Sequence, residues 1–566
     1  MTAVRDHVMS TPVPCSTEAT VATAARELVT SMVLEPPGLV SPSVYETARL
    51  VASAPWLPGH TARLDYLLAG QRADGGWGAP GGYAVVPTLS AVEALLAQLP
   101  GETDVPGRQP LRAELVGAAD RGLRALHDRL GAGHEVPDTP AVDLIVPALV
   151  ARLNGHLDRL RHQHQPGLDT WRNAGRFPLP AGIGPERLAS IGRLLAAGAP
   201  LPQKLLHALE VLGGAACRHP GVSPVAGAVG ASPAATVAWL GGPPTSAHDR
   251  SVLTYLEDTV RRQGGPVPCT TPITVFERAW VLSTLVRAGV PLAVSPKLLA
   301  GLGATLGAAG TTTGPGLPTD ADTTSVTLYA LARLGHPVDP ACLTGYDTGE
   351  HFCTWQGEDG WSITTNAHVL EALGWHVAND VRAAVRHRST VHRLTRWLLD
   401  RQQADGSWSD RWHSSPYYAT FCAALALDGY APDIPVTAWS LGRAIDWVVA
   451  SQHADGSWGR WGGTVEETAY ALHVLLGVAR EDRPGVRVAV ASGLRYLAAA
   501  DDLMSFSDAT VAPPLWHDKD LYHPVRIVRA ATLAVWQLAQ ARSDLVTSAL
   551  SVPHRLHDGS GMIRSA

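Results

Sequence analysis

Residues 320 to 324 read Asp-Ala-Asp-Thr-Thr, and the helical pattern "SVTLYALARLG" follows at once. Asp320 and Asp322 therefore sit one residue apart at the start of a helix. Asp and Thr are both favoured capping residues, and a helix N-terminus stabilises an anion. Capping accounts for one aspartate. It leaves the second without a task, because either threonine could cap equally well. Two carboxyl groups this close cannot both ionise cheaply, so one keeps its proton and its pKa rises. A neutral carboxylic acid in a dry, aromatic-lined cavity is a Brønsted acid. If strong enough it protonates an alkene, and aromatic faces then stabilise the carbocation.

The elements that must position this acid come from a repeat. "QRADGGWG" begins at Gln71, "QGEDGWS" at Gln356, "QQADGSWS" at Gln402 and "SQHADGSWG" at Ser451, the last three roughly 50 residues apart. An apolar helix follows each tryptophan of the last three: "TTNAHVLEALG", "YATFCAALALDG" and "ETAYALHVLLG". These close on Gly374, Gly429 and Gly477, as the acidic helix closes on Gly335, which predicts left-handed glycine C-caps. Amphipathic helices such as "VHRLTRWLLDRQ" and "LGRAIDWVVASQ" precede the Gln. The unit is turn, inner helix, loop, outer helix. In each turn the Gln and Trp should stack and tie neighbouring outer helices together. "TLSAVEALLAQLPG" and "SPAATVAWLGG" extend the pattern into the N-terminal half. The expected fold is all-α, with two α/α barrels and the acidic motif at a cavity mouth.

Composition excludes several function classes. The 566 residues are 46% hydrophobic and 17% charged, with 17 Trp against 5 Phe, so a large core is in reach and big aromatic rings are used deliberately. The net charge of −6 and the lack of a basic block argue against nucleic acid. The six cysteines form no C-x-x-C pair, which argues against a disulfide framework or thiolate zinc and suits a reducing cytoplasm. "MTAVRDHVMSTPVP" has no apolar signal core, and no run approaches the roughly 20 apolar residues of a membrane span.

Over nearly its whole length the chain resembles the class II terpene cyclases, which include squalene–hopene cyclases and bacterial diterpene cyclases related to copalyl diphosphate synthases. The resemblance rests on the acidic pentad and the Gln…Asp-Gly-x-Trp repeats. It extends to "LLHALEVLG" from Leu205, "ASPAATVAWL", "PITVFERAWVLSTLVRAG" and "LWHDKDLYHPVRIVRAA" from Leu515. The family motif is D-x-D-D. Thr323 replaces its last Asp, as in some halimadienyl and drimenyl diphosphate synthases.

The resemblance implies a β domain of residues 1–39 and 270–566, which carries the motif. A γ domain of residues 40–269 is inserted in it, and the active site lies between the two. It makes Asp322 the proton donor, with Asp320 accepting a hydrogen bond from it and orienting its proton. His368, on the next inner helix, would assist. His207 would belong to a dyad that takes the final proton through water, although the dyad's asparagine has no counterpart here. Lys519, Arg526 and Arg529, with Trp516 and Thr323, would meet a prenyl diphosphate. Asp143 and Glu210 would contact Mg²⁺, which prefers oxygen ligands and substrate phosphates. From the residues alone, His368 and His207 read equally as packed core histidines, and the others as ordinary surface or helix-face charges.

The expected reaction is protonation-initiated cyclisation of geranylgeranyl diphosphate to a bicyclic diphosphate. Farnesyl diphosphate giving drimenyl diphosphate is the rival. The D-D-x-x-D cluster that ionises diphosphates is missing, since "DDLMS" at Asp501 lacks its last acid, so the diphosphate should survive for a downstream class I terpene synthase or phosphatase. Other readings of the motif are a glycoside hydrolase, whose acids stand about 5 to 9 Å apart on different segments, and a non-catalytic helical scaffold. A zinc prenyltransferase on the same barrel lacks a recognisable ligand set.

Overall fold

The computed structural model describes residues 18–99, 109–131, 135–244, 246, 249–431, 434–478, 483–500 and 513–546; Cys15 and the Asp501 segment lie outside them. Helix α1 (Glu18–Leu34) leads into α2 (Val44–Ser53), α3 (His60–Ala69), α4 (Val85–Ala97), α5 (Gln109–Gly131), α6 (Val142–His162), α7 (Glu186–Ala196), α8 (Pro233–Leu240) and α9 (Arg250–Arg262). Of these, α2, α4, α6 and α8 form a ring that a 3₁₀ segment, Gln203–Ala216, completes between α6 and α8. That segment leaves helical geometry at Ala208 and Gly213. The Gly230 loop presses on it so closely that a β-carbon at Gly230 would stand 2.4 Å from the His207 nitrogen. The "LLHALEVLG" stretch therefore bends around a neighbour.

The second ring is built from α10 (Thr274–Arg287), α12 (Ala321–Arg333), α13 (Ile363–Asn379), α15 (Pro416–Tyr430), α17 (Val465–Gly477) and α19 (Val525–Ala541), each packed on the next, with α19 closing onto α10. α11 (Pro296–Gly303), α14 (Val381–Asp400), α16 (Pro435–Ala450) and α18 (Val486–Ala499) lie outside it, and α1 packs on α10 and α19. Two short antiparallel hairpins decorate this barrel: β1 (Thr311–Thr312) with β2 (Thr319–Asp320), and β3 (Trp516–His517) with β4 (Leu521–Tyr522). Among the described residues, no helix is long and apolar enough to cross a membrane.

The repeat turns work by hydrogen bonding where stacking was expected. The Trp408 indole N–H donates to the Leu398 carbonyl near the end of α14, and the Gln402 amide donates to Ser440 O in α16. Trp458 does the same to Val448 O while Gln452 reaches Ala489 O, and Trp77 reaches Leu67 O while Gln71 reaches Ala118 O. Each turn thus satisfies an orphan C-terminal carbonyl and pins the next outer helix. Replacing the fully buried Trp408 by Ala is expected to cost about 3 to 5 kcal/mol in a denaturant titration. The truncated copy departs from this, with Trp361 43% exposed.

The glycine caps hold only in part. Gly335 takes φ +83°, but α13 runs on through Gly374 to Asn379. Gly374 is needed for space, because a β-carbon there would meet the Tyr430 ring at 2.5 Å.

Candidate active site

The acidic motif divides its labour. Asp320 has extended backbone and caps α12, its Oδ1 accepting the Thr323 N–H at 2.5 Å. The threonines, freed from capping, hold the β1 hairpin: Thr324 Oγ1 accepts the Thr311 N–H at 2.9 Å, and Thr323 Oγ1 meets Thr313 Oγ1 at 3.0 Å. Asp322 is left in the first turn with its side chain free to reach across to α13. There Oδ1 stands 2.6 Å from His368 Nδ1. The expected contact from Asp322 to Asp320 is thus replaced by one to His368, because the cap already occupies Asp320. Asp322 keeps 16% of its side chain exposed, against 5% for His368, so the acid has one open side.

The electrostatics follow from burial and these pairings. Burial raises the Asp320 carboxyl from its usual 3.8 to about 7, the cap hydrogen bond pulls it back, and the Asp322 charge adds to the rise. Burial alone would lower the His368 imidazole, but the Asp322 carboxylate outweighs it, and His368 lies well above the usual histidine value.

An aromatic wall surrounds this pair. Trp280 on α10 stands edge-on to the His368 ring at 5.4 Å and donates its indole N–H to the Tyr418 hydroxyl at 2.8 Å. Phe276 lies 4.3 Å from Trp280, Trp516 lies 4.7 Å from Tyr418, and Tyr470 lies 5.0 Å from Tyr418 and 5.1 Å from Phe421. Trp280, His368, Tyr418, Phe421 and Tyr470 line one cavity inside the ring. The sequence reading missed Trp280, Tyr418, Phe421 and Tyr470. The available signal was position: Tyr418 and Tyr470 lie near the N-terminal ends of α15 and α17, the rim at which Asp322 sits on α12.

The other expected residues gather at the seam between the barrels. Lys519 is fully buried, and its ammonium donates to Glu46 at 2.5 Å, Glu210 at 2.8 Å and Ser232 at 2.8 Å. Burial opposes the charge, but the two glutamates override it and raise the ammonium pKa. All three protons are spoken for, so in this arrangement Lys519 welds the barrels and offers nothing to a diphosphate. Removing one partner from a buried ion pair is costly. Lys519→Met is therefore expected to lower unfolding free energy by about 3 to 5 kcal/mol, read from the denaturant midpoint.

Arg526 is likewise buried, bound to Glu277 at 3.0 Å and Glu35 at 2.7 Å, where it ties α19 to α10 and α1 instead of facing a ligand. His207 donates from Nδ1 to the Gly230 carbonyl at 2.7 Å and from Nε2 to Asp518 at 2.8 Å. Burial disfavours its cation, yet Asp518 prevails and the pKa is raised. With an acceptor at each nitrogen it has no lone pair for an incoming proton, so its dyad partner is a carboxylate that opposes the expected role. Trp516 is part of the wall, and Thr323 is spent on the hairpin.

For magnesium, the seam supplies one telling atom: Glu210 Oε2 is buried and has no hydrogen-bond partner. A small pocket at the seam is lined by Tyr83, Pro137, Thr139, Lys519 and Asp520. Asp143, in the first turn of α6, is instead paired with Arg187 at 2.7 Å. Among the described residues, no three acids, histidines or cysteines converge to hold a metal by themselves. Of the two expected carboxylates, Glu210 alone keeps an oxygen for a magnesium that a diphosphate would bring with it.

The profile of the family described as Squalene-hopene cyclase C-terminal domain matches residues 359–480. The chain is 46% identical to an ent-copalyl diphosphate synthase of Streptomyces sp. (strain KO-3988), over 92% of this chain and 97% of that one. It is 41% identical to a labda-7,13-dienyl diphosphate synthase of Streptomyces clavuligerus, over 92% and 93%. The solved ent-copalyl diphosphate synthase of Streptomyces platensis superposes with a TM-score of 0.86 at 43% identity, covering 92% of this chain and 99% of that one.

Proposed function

Since the chain belongs to the class II terpene cyclases, in the group of the bacterial copalyl diphosphate synthases, we propose that it cyclises geranylgeranyl diphosphate to a bicyclic labdane-type diphosphate. The observation that carries this reading is the 2.6 Å contact between Asp322 and His368 beneath a wall of indoles and phenols. His368 donates its Nδ1–H to Oδ1 of Asp322, and the second oxygen carries the proton that is delivered. A ring N–H held at one oxygen stabilises the carboxylate left behind.

The proton adds to the terminal alkene and forms a C–H bond. The resulting cation at the dimethyl carbon is attacked by the next alkene in turn, closing two rings. A proton is finally lost, so product and substrate are isomers and the diphosphate is untouched. Trp280, Tyr418, Phe421, Tyr470 and Trp516 present π faces to the cation and exclude water from it. Magnesium would be held by Glu210 together with the substrate, and would supply positive charge to the diphosphate. The product would pass to an enzyme that ionises or hydrolyses the retained diphosphate.

Incubating the purified protein with geranylgeranyl diphosphate and Mg²⁺, dephosphorylating, and analysing by mass spectrometry tests the assignment. A bicyclic alcohol isomeric with geranylgeraniol supports it. Unchanged geranylgeraniol, or release of inorganic diphosphate, contradicts it.

A further inference from the structure

Glu466 on α17 is a buried acid that the mechanism above does not use. Most of the barrels' other buried glutamates meet cations: Glu277 meets Arg526, Glu371 meets Arg287, Glu93 meets Arg49, and Glu46 and Glu210 meet Lys519, while Glu467 is held by the Arg460 backbone N–H and the Thr464 hydroxyl. Glu466 instead meets rings. Its Oε1 accepts the Trp516 indole N–H at 2.7 Å, the His413 Nε2–H at 3.1 Å and the Tyr470 O–H at 3.3 Å, while His523 Nδ1 stands 3.3 Å from Oε2. The Ser415 N–H donates to His413 Nδ1, which leaves Nε2 to carry its hydrogen toward Glu466. These partners come from four places: the loop before α15, β3, the turn before α19, and α17 itself. Burial alone would raise this carboxyl, but the His413 and His523 imidazoles outweigh it and hold it at about 2, so it stays an anion.

A carboxylate that accepts a hydrogen bond from an indole or a phenol pushes electron density into that ring. Trp516 and Tyr470 belong to the wall around the Asp322–His368 pair, 4.7 Å and 5.0 Å from Tyr418. A buried anion with no arginine or lysine partner among the described residues, placed behind these rings, suits a site where a further positive charge develops during turnover.

We propose that Glu466 is a positioning residue of the cyclisation: its charge, relayed through Trp516 and Tyr470, makes the wall a better cation host and keeps the ring cation alive until the second closure. It acts through the two rings and does not touch the substrate. The proposal rests on the cyclase reading. The two fail differently, because the cyclase reading concerns whether wild-type protein makes rings, and this one concerns how products partition in a protein that does.

Glu466→Gln removes the charge but keeps the shape. It is expected to lower kcat by about 10- to 100-fold with KM within about twofold. It is also expected to divert part of the product to monocyclic or hydroxylated diphosphates, seen by mass spectrometry after dephosphorylation. Trp516→Phe removes the indole donor and should divert product in the same sense. In the double variant the two losses should be less than additive, as expected for groups acting through one contact. A Glu466→Gln enzyme with an unchanged product mix overturns the proposal, as does full additivity with Trp516→Phe. If Glu466→Gln does not fold, Tyr470→Phe decides, since it deletes one hydroxyl and keeps the ring. Early-terminated products from it support the proposal, and an unaltered mix overturns it.

Discussion

Asp322→Asn abolishes cyclisation: product formation drops by at least about 10⁴-fold, to the limit of detection, while the folded protein persists. Asparagine keeps the side-chain size and an oxygen that can face His368 Nδ1, so packing at the head of α12 barely changes. What disappears is the only transferable proton on the open side of the pair. Because every later bond depends on that first C–H bond, the loss exceeds that of an ordinary general acid. Circular dichroism and the thermal midpoint should stay near wild type while mass spectrometry finds no bicyclic alcohol. Asp320→Asn provides the internal comparison. Asparagine caps helices as well as aspartate does, so that variant is expected to retain measurable turnover. Equal loss from the two substitutions contradicts the division of labour between cap and acid.

His368→Asn lowers kcat by about 10² to 10³-fold, because Asp322 must then give up its proton without the imidazole that holds the resulting charge. KM should change little, since His368 lies at the alkene end of the site and not at the seam. The same pair sets the pH profile. The Asp322 carboxylate raises His368 well above its usual value. Asp320 ionises at about 7, which puts a negative charge near the reacting carboxyl. Activity is therefore expected to hold below pH 7 and to decline above it. Stability has its own slope. Between the usual 3.8 and about 7, folded Asp320 keeps a proton that the unfolded chain has lost. That contribution is full below the lower value and disappears as pH rises through the upper one. Asp320→Asn should flatten both trends, as read from rate and denaturation series across pH 5 to 8.

Asp322 was legible in the sequence because its chemistry is local. An acid two residues past a capping aspartate stands out in a linear pattern. His368 was placed by the family resemblance, and its side chain meets Asp322 across α12 and α13. The wall was not legible. Tyr418, Tyr470 and Trp280 sit at helical spacing among alanines and leucines, and only ring closure decides that they face the acid. Lys519 and Arg526 were expected to meet a diphosphate because a sequence shows charge and not burial. The glutamates that neutralise them, Glu46, Glu210, Glu277 and Glu35, are hundreds of residues distant. Glu466 went unnoticed for the same reason, since its partners come from segments that only the fold brings together.

Running the reaction in D₂O tests the central claim most directly. The Asp322 carboxyl exchanges with solvent between turnovers, so each product molecule should carry one deuterium, on the ring carbon next to the dimethyl carbon, with no inorganic diphosphate released. Bicyclic product without deuterium, or cyclisation accompanied by diphosphate release, would mean that the rings are not opened to closure by a proton from Asp322.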